Sequence, residues 1–241
     1  MRTPARQLVE AVAARFAPAG TLAPARIFAR YYAREKLLRD PIYFSLLERG
    51  LIPDGARLLD LGCGQGILLA LLVAVRDAAR AGVWPSEWAP PPIFSSLRGI
   101  ELDPAEVRRA RIALAGEATV DEGDLRDAKL PPSSVIAIVD VIHYLEPAAQ
   151  ERLLGRVSEA LDSGGVLLLR ICDGAAGLRA FLTRVSDVVG TLTKRGAVAR
   201  TYLRSAAEWT ARLESLGFSV SALPMSAGTP FANVLLVARK R

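Results

Sequence analysis

The chain has 241 residues, of which 51% are hydrophobic, with a formal net charge of +6. This length suits one α/β domain with a cap and is enough to bury a full core. No apolar run approaches the roughly 18 residues that span a bilayer. Arg and Glu also interrupt the apolar pattern of the N-terminus, which argues against a secretory signal. We therefore expect a cytoplasmic protein.

The number of cysteines and the distribution of charge indicate which kinds of site the protein is not expected to contain. Cys63 and Cys172 are too few and too far apart to indicate a metal site or a disulfide framework. The arginines are scattered along most of the chain, so the basic charge favours a solvated surface over nucleic-acid binding. The segment Arg184–Arg204 is a candidate for a basic rim beside a cleft. Among few acids it holds Lys194, Arg195, Arg200 and Arg204.

Strand-length apolar runs alternate with helical patterns along the chain, which predicts βαβ units and a parallel sheet. The first 50 residues hold helical segments with aromatic clusters and are predicted to form a cap on a main domain of residues 51–241. The predicted strands are Arg57–Leu61, Leu97–Leu102, Ala118–Glu122, Val135–Val139, Val166–Ile171, Phe218–Leu223 and Val234–Ala238. The last two are joined by about ten residues without a helix, which predicts an antiparallel pair.

Helix signals separate these strands. Asp103-Pro104 combines a capping acid with proline at the first helical position and predicts the helix Pro104–Leu114. Pro147 opens a helix that ends near Leu161, where Ser163-Gly164-Gly165 stops it. Further helices are predicted near Ala175–Leu192 and Ser205–Leu216, and Gly82–Ser96 is an insertion rich in Pro and Trp.

A glycine loop follows the first strand, in the sequence RLLDLGCGQGILLALL. Gly62, Gly64 and Gly66 stand at alternate positions, and Asp60 lies two residues ahead of them. Glycines let the backbone turn sharply and approach a ligand, and the helix that follows offers free N–H groups. Dinucleotide-binding loops have the longer spacing G-x-G-x-x-G. The loop therefore predicts a different nucleotide-type ligand.

Acidic or polar side chains follow each of the next strands, where open α/β sheets bind ligands. The second strand ends in RGIELDP, with Glu101 and Leu102, and an acid there can accept both ribose hydroxyls. The third leads into EGDLRD, where Asp124 suits an adenine amino group and Leu125 lies beside it. The fourth leads into VDVIHYLEP. That string contains Asp140, His143 and Tyr144.

This succession resembles motifs I to IV of the class I S-adenosylmethionine (SAM) dependent methyltransferases, over roughly Arg57 to Ile171. The resemblance implies a Rossmann-like, mostly parallel seven-stranded sheet and conversion of SAM to S-adenosylhomocysteine. The three loop glycines, with Cys63 between them, would line the methionine end, and Asp60 would hold its ammonium. Glu101 would take the ribose and Asp124 the adenine. The predicted cofactor set is completed by Leu102, Leu125 and Asp140.

The whole chain, with DPIYFSLLERGLIPDGARLLDLGCGQG near one end and LPMSAGTPFANVLLVARK near the other, is also similar to methyltransferases of bacterial aryl polyene pigment clusters. That resemblance implies a secondary-metabolic enzyme that methylates an aromatic hydroxyl of a small molecule. It also implies an acceptor that an acidic acyl carrier protein can deliver.

His143, the only histidine, has two interpretations. It satisfies a local hydrogen bond after the strand, or it acts as a general base for an oxygen acceptor. In the cap, Tyr31 and Tyr32 either pack in the core or close as a lid. Lys36 is a lower-ranked candidate for the SAM carboxylate. Tyr144 and Arg170 are substrate-side candidates, and Arg170 is expected to reach either solvent or an anion.

Three other classes remain as alternatives. A nicotinamide dehydrogenase needs the other glycine spacing. A methyltransferase acting on RNA or protein fits the charge, but DVIHYL lacks the Asn/Asp-Pro-Pro-aromatic string of enzymes that methylate base nitrogens, and aromatic-interleaved basic patches are missing. A non-catalytic SAM-binding module would keep the same cofactor motifs and is distinguished only by turnover.

Overall fold

Seven strands form the sheet of the structure, a computed structural model that describes residues 3–17, 23–176 and 200–241. The strands are β1 (Ala56–Leu61), β2 (Phe94–Glu101), β3 (Thr119–Glu122), β4 (Ser133–Val139), β5 (Leu161–Cys172), β6 (Phe218–Pro224) and β7 (Asn233–Lys240). Their order across the sheet is β3-β2-β1-β4-β5-β7-β6. This is the seven-stranded, mostly parallel sheet that the sequence predicts.

Helices flank the strands in chain order. They are α1 (Thr3–Arg15), α2 (Ala23–Arg39), α3 (Ile42–Glu48), α4 (Ile67–Arg80), α5 (Pro104–Leu114), α6 (Pro147–Ala160) and α7 (Ala206–Ser215), with a short 3₁₀ helix at Ile142–Tyr144. The predicted helical N-terminal region is therefore present. Among the described residues, no helix is long and apolar enough to cross a membrane.

The chain divides into two compact units, Met1–Lys129 and Leu130–Arg241. The predicted boundary near residue 50 stays a prediction. In the first unit, β2 pairs in parallel with both β1 and β3. Helix α4 is buried all round over its first nine residues, as a helix apolar on every side requires. Helix α5 begins as predicted, with the Asp103 side chain accepting the Ala105 N–H at 2.8 Å.

In the second unit, β4 and β5 are parallel, and β7 is antiparallel to both β5 and β6. The predicted antiparallel final pair is confirmed. Helix α6 ends at Ala160, close to the predicted end, and Gly164 lies within β5. Gly164 has φ +73°, and the β4–β5 register shifts between Ser133 and Val135. The glycines thus form an irregularity at the start of a strand, not a separate loop.

The predicted helix Ala175–Leu192 lies mostly outside the described residues, and its first two residues are in a turn and a bend. Helix α7 has a full capping box: the Glu208 N–H donates to the Ser205 hydroxyl, and the Ser205 N–H donates to the Glu208 carboxylate. Asp173 ties the chain ahead of the undescribed segment to this helix, because its carboxylate accepts the Ala206 N–H at 3.1 Å.

Candidate functional site

The glycine loop turns the chain from β1 into α4. Gly62, Gly64 and Gly66 have φ values of +73°, +55° and +79°, a region that residues with a Cβ seldom adopt. The Gly62 N–H donates to the Ile100 carbonyl at 2.8 Å, which fixes the loop to β2. A Cβ on Gly66 would lie 3.2 Å from the Ala110 Cβ, so α5 leaves little room there. The alternate glycines are therefore required by backbone geometry.

Cys63 packs its side chain against β2. Its Sγ would lie 2.6 Å from a Cβ placed on Gly99, so the thiol occupies the space that this glycine leaves. Burial, together with the charges of Asp60 and Glu101, holds the pKa of the thiol well above its usual range. This agrees with a small packing residue. A role of Cys63 beside the cofactor stays a prediction.

Asp60 and Glu101 are two buried carboxyl groups at the ends of neighbouring strands. Burial of Asp60, and then the charge of Glu101, raise the Asp60 pKa to about 7. Among the described residues, no cation pairs with the Asp60 carboxyl. Glu101 accepts the Gly64 N–H at 2.9 Å through Oε2 and the Asp103 N–H at 2.9 Å through Oε1.

These two carboxyl groups fit the cofactor that the motifs predict. A buried carboxyl without a cation suits an ammonium group, which would restore its charged form. The Glu101 carboxylate is held by two backbone N–H groups, and a carboxylate oxygen can accept more than one hydrogen bond, as a pair of hydroxyls requires. Both residues thus have the capacity for the contacts expected with the amino acid and ribose parts of SAM.

Asp124 follows β3, and its carboxylate is bound by Arg126. The guanidinium donates through Nε at 2.9 Å and through Nη2 at 2.5 Å to the same Oδ2. These hydrogen bonds lower the Asp124 pKa. Leu125 is buried, whereas Leu102 is 47% exposed. A donor from adenine would share the Asp124 carboxylate with Arg126.

Helix α2 presents part of its aromatic side chains to solvent. Tyr31 is 59% exposed, and Tyr32 stacks on Phe28 with ring centroids 5.9 Å apart. Tyr31 is therefore not a core residue, and its role as a lid stays a prediction. Lys36 pairs with the Asp40 carboxylate at 2.8 Å, so a contact with the SAM carboxylate would have to compete with this ion pair.

Gln65, in the glycine loop, joins that loop to α2. Its side chain is buried, and its Nε2 donates to the Ala29 carbonyl at 3.1 Å. Sequence reasoning missed this residue, although its position between two loop glycines was a signal: a polar side chain there must find a partner if the loop is buried.

In the second unit, Asp140 follows β4 and binds Arg170 of β5. Val139 and Arg170 are register partners, which brings the guanidinium to the residue after the strand. Arg170 Nε donates to Asp140 Oδ1 at 2.7 Å, and Nη2 donates to Oδ2. Arg170 is 1% exposed. Of its two expected destinations, solvent is wrong and an anion is confirmed, the anion being Asp140. A substrate contact of Arg170 stays a prediction.

His143 lies in the 3₁₀ helix that follows, and its side chain is buried. Burial lowers its pKa to about 4, with a further lowering from Arg170 that Asp140 opposes. The imidazole is therefore neutral at physiological pH. The Tyr144 ring lies 4.3 Å from it, between centroids. The Tyr202 N–H donates to the His143 carbonyl at 2.8 Å.

Gln150 in α6 supports the same turn and was also missed. Its Nε2 lies 3.2 Å from the Ile142 carbonyl, 3.1 Å from that of Leu145 and 3.0 Å from that of Tyr202. Gln150 is not part of any recognisable motif. The one feature of the sequence that could have indicated its role is a polar amide inside the apolar pattern of α6. The basic segment is described only in part. Lys194 and Arg195 lie outside the described residues, and Arg204 pairs with Glu151 at 2.5 Å.

Comparison with known proteins identifies the class. Residues 28–223 match a methyltransferase domain family. The chain belongs to this family, and it is a SAM-dependent methyltransferase with the class I fold. As a member of this family it has SAM as its cofactor. One structural neighbour, the magnesium protoporphyrin IX methyltransferase of Synechocystis, was solved with bound S-adenosylhomocysteine.

The individual proteins that this chain resembles are only distantly similar to it in sequence. The carboxy-S-adenosyl-L-methionine synthase of Chromohalobacter salexigens is 32% identical over 120 residues, which are 48% of this chain and 39% of that protein. The match thus spans less than half of that relative. An O-methyltransferase family protein from Burkholderia thailandensis has a TM-score of 0.62 at 17% identity, covering 94% of this chain and 61% of that one. The Synechocystis enzyme has a TM-score of 0.58 at 16% identity, covering 95% and 93%.

Proposed function

We propose that this methyltransferase methylates an oxygen of a small aromatic acceptor and that His143 is the general base. The observation that carries the proposal is a buried, neutral imidazole on the turn after β4. An imidazole kept neutral is ready to accept a proton at physiological pH. Among the described residues, it is the one side chain of its kind, since the sequence has a single histidine.

When bound, SAM supplies a methyl group on a positively charged sulfur. The acceptor oxygen forms a bond to the methyl carbon while the carbon–sulfur bond breaks, and its electron pair stays on sulfur. His143 takes the phenolic proton. A pKa of about 4 is low for removing a proton from a resting phenol, whose pKa is near 10. The phenol becomes a far stronger acid as its oxygen is alkylated, so a weak base suffices late in the step.

The residues of the first unit are proposed to hold the cofactor. Asp60 would bind the ammonium and Glu101 the ribose hydroxyls, with the glycine loop offering close backbone approach. Asp124 would accept the adenine amino group. These assignments rest on the chemistry of each side chain and its place after a strand, and Gln65 would keep the loop fixed to α2.

One structural neighbour supports an oxygen acceptor, whereas one sequence relative points to a different reaction. The Burkholderia thailandensis protein is described as an O-methyltransferase family protein. The Chromohalobacter salexigens protein makes a carboxylated SAM, by its name. Against that second activity, Arg170, a buried cation within β5, is already bound to the Asp140 carboxylate.

The finer assignment is a phenolic acceptor of the aryl polyene type, delivered by an acidic acyl carrier protein. Arg200, exposed and placed 5.1 Å from the Tyr202 ring centroid, is the described residue that favours such docking. Arg204 contributes less, because Glu151 neutralises it. Arg200→Glu should slow turnover of a carrier-bound phenol and leave a free phenol unaffected. The effect should weaken with salt, because screening acts over about 8 Å at physiological ionic strength.

The deciding experiment measures S-adenosylhomocysteine formation with a panel of phenols, aromatic carboxylic acids and amines, and identifies each product by mass. We expect turnover with phenols and a loss of about 10²–10⁴-fold in His143→Asn. Glu159→Gln, an exposed change on α6, is the matched control and should retain full activity. SAM binding without turnover of any phenol in the panel would overturn the phenolic acceptor. A carboxylated SAM product would place the chain with its sequence relatives.

A further inference from the structure

We propose that Gln150 is a positioning residue that sets the place of the His143 imidazole through the backbone around it. The proposal rests on the function proposed above for His143. Gln150 has no exposed surface, and its side chain turns back from the first turn of α6 toward the 3₁₀ helix. It donates hydrogen bonds to backbone carbonyls of the turn and none to the His143 imidazole.

The orientation of the Gln150 amide is fixed by its surroundings. Its Nε2 faces three carbonyl oxygens, those of Ile142, Leu145 and Tyr202, at 3.0 to 3.2 Å. A side-chain amide nitrogen has two hydrogens, so three acceptors share them. Exchanging the amide oxygen and nitrogen would set an oxygen against three oxygens. Among the described residues, Oε1 has no hydrogen-bond partner, which shows that the nitrogen alone is used.

The three carbonyls surround His143 on both sides. The peptide carbonyl of Ile142 directly precedes His143, and that of Leu145 lies two residues beyond it. Tyr202 closes the arrangement, since its N–H donates to the His143 carbonyl at 2.8 Å while its own carbonyl accepts from Gln150. The backbone around His143 is thus held by the three contacts of the Gln150 amide nitrogen and by the Tyr202 N–H, which donates to the His143 carbonyl. Buried hydrogen bonds are stronger than those in water, so these contacts stiffen the turn.

A general base has to be held within about an ångström of its working position, because a misplacement of that size costs about 10²-fold in rate. The 3₁₀ helix that carries His143 is only three residues long, and its own backbone hydrogen bonds are those from Tyr144 to Val141 and from Leu145 to Ile142. Gln150 adds stiffness from a longer helix. Its loss should therefore reduce turnover more than cofactor affinity, which is the behaviour of a group that acts on placement.

The test compares Gln150→Met, which keeps the length and removes the donor, with Gln150→Asn, which keeps the amide one methylene short. Glu151→Gln is the control: it breaks the ion pair to Arg204 from the same helix and leaves the turn carbonyls untouched. We measure kcat and KM for SAM with an active phenol and record the imidazole ring resonances of the single histidine by NMR. Both Gln150 variants should lower kcat about 10- to 100-fold with KM for SAM within about twofold, and should shift the His143 resonances.

The outcomes separate this proposal from the proposed function. Unshifted His143 resonances and full kcat in a folded Gln150→Met would overturn the positioning role, and Gln150→Asn decides the same question if the Met variant does not fold. An equal fall in kcat and SAM affinity, with unshifted resonances, would also overturn it. If wild type and His143→Asn turn over a phenol equally, the general-base role proposed for His143 fails. The resonances then show independently whether Gln150 fixes the imidazole.

Discussion

The Arg170 guanidinium binds the Asp140 carboxylate through two nitrogens at the ends of adjacent parallel strands. The two members of this pair differ in burial: the Arg170 side chain is 1% exposed and that of Asp140 is 33% exposed. Asp140 also has φ +57°, outside the usual range for a residue with a side chain. The pair therefore fixes a strained backbone position directly ahead of the turn that contains His143.

The difference in burial predicts an asymmetry in stability. Asp140→Asn, which suits a left-handed backbone, leaves a buried cation and should lower the free energy of unfolding by about 3–5 kcal/mol. Arg170→Met leaves a carboxylate that water reaches and should cost less. The double variant should recover part of the loss. Urea unfolding of all three proteins checks this, and a larger loss in Arg170→Met than in Asp140→Asn would contradict it.

Asp60 predicts that SAM affinity depends on pH. The Asp60 pKa in the ligand-free protein is about 7. At pH 7, therefore, half of the molecules carry a protonated Asp60, which must lose its proton before it can pair with an ammonium group. Affinity should rise about tenfold from pH 6 to pH 8, with one proton released at low pH. Calorimetry in buffers of different ionisation enthalpy measures both. Asp60→Asn should bind weakly and without this dependence, and a pH-independent wild-type affinity would remove the assigned role.

The same carboxyl affects stability without ligand. Its folded-state pKa lies above the ordinary value, so the folded protein holds the proton more tightly than the unfolded chain. Its contribution is present below pH 4 and is lost as pH rises to about 7. Asp60→Asn should therefore raise the free energy of unfolding at pH 8, by at most about 4 kcal/mol. Thermal unfolding at pH 5 and pH 8 checks this, since the gain should be clearly larger at the higher pH.

His143 predicts the acid limb of the rate profile. Burial and Arg170 hold its pKa near 4 despite Asp140, so kcat for a phenol should stay constant as pH falls through 6.5 and decline only toward 4. A fall centred on 6.5 would show an ordinary, solvated imidazole. In His143→Asn, part of the lost rate should return at high pH or with a more acidic phenol, because ionised acceptor needs no base.

The loop glycines predict two kinds of defect. Gly64 has φ +55° and open space where a Cβ would lie, so Gly64→Ala costs about 1–2 kcal/mol through backbone strain alone. Gly66→Ala adds a contact of 3.2 Å with the Ala110 Cβ. Both should weaken SAM binding, and Gly66→Ala should lower the melting temperature more. Calorimetry and thermal unfolding separate the two effects, and wild-type SAM affinity in Gly64→Ala would remove the loop from the binding site.

The sequence predicted the seven strands and the last antiparallel pair because each strand is apolar and bounded by turn or capping residues. It also predicted the cofactor class, through the resemblance of the glycine loop and of the acids after the next strands to the motifs of class I methyltransferases. It did not predict the partners of the buried polar groups. Arg170 could be assigned to solvent or an anion, since only the register of β4 and β5 brings it to Asp140.

Gln65 and Gln150 are two further buried polar residues whose hydrogen-bond partners the sequence did not predict. Each donates to backbone carbonyls of a distant element, and a carbonyl is present at every residue, so no pattern of residue types marks the acceptor. Lys36 was assigned by its charge, and its partner Asp40 lies four residues on, where a helical ion pair is an equally good explanation.

The hydrogen bond from Gln65 to the Ala29 carbonyl ties α2 to the glycine loop. If that loop binds SAM as proposed, thermodynamic reciprocity requires that whatever α2 contributes to ligand affinity, the ligand returns as added stability of α2. Changes far along α2 should then alter cofactor retention without removing a contact to the cofactor. Amide exchange in α2 should in turn report how fully the loop is occupied.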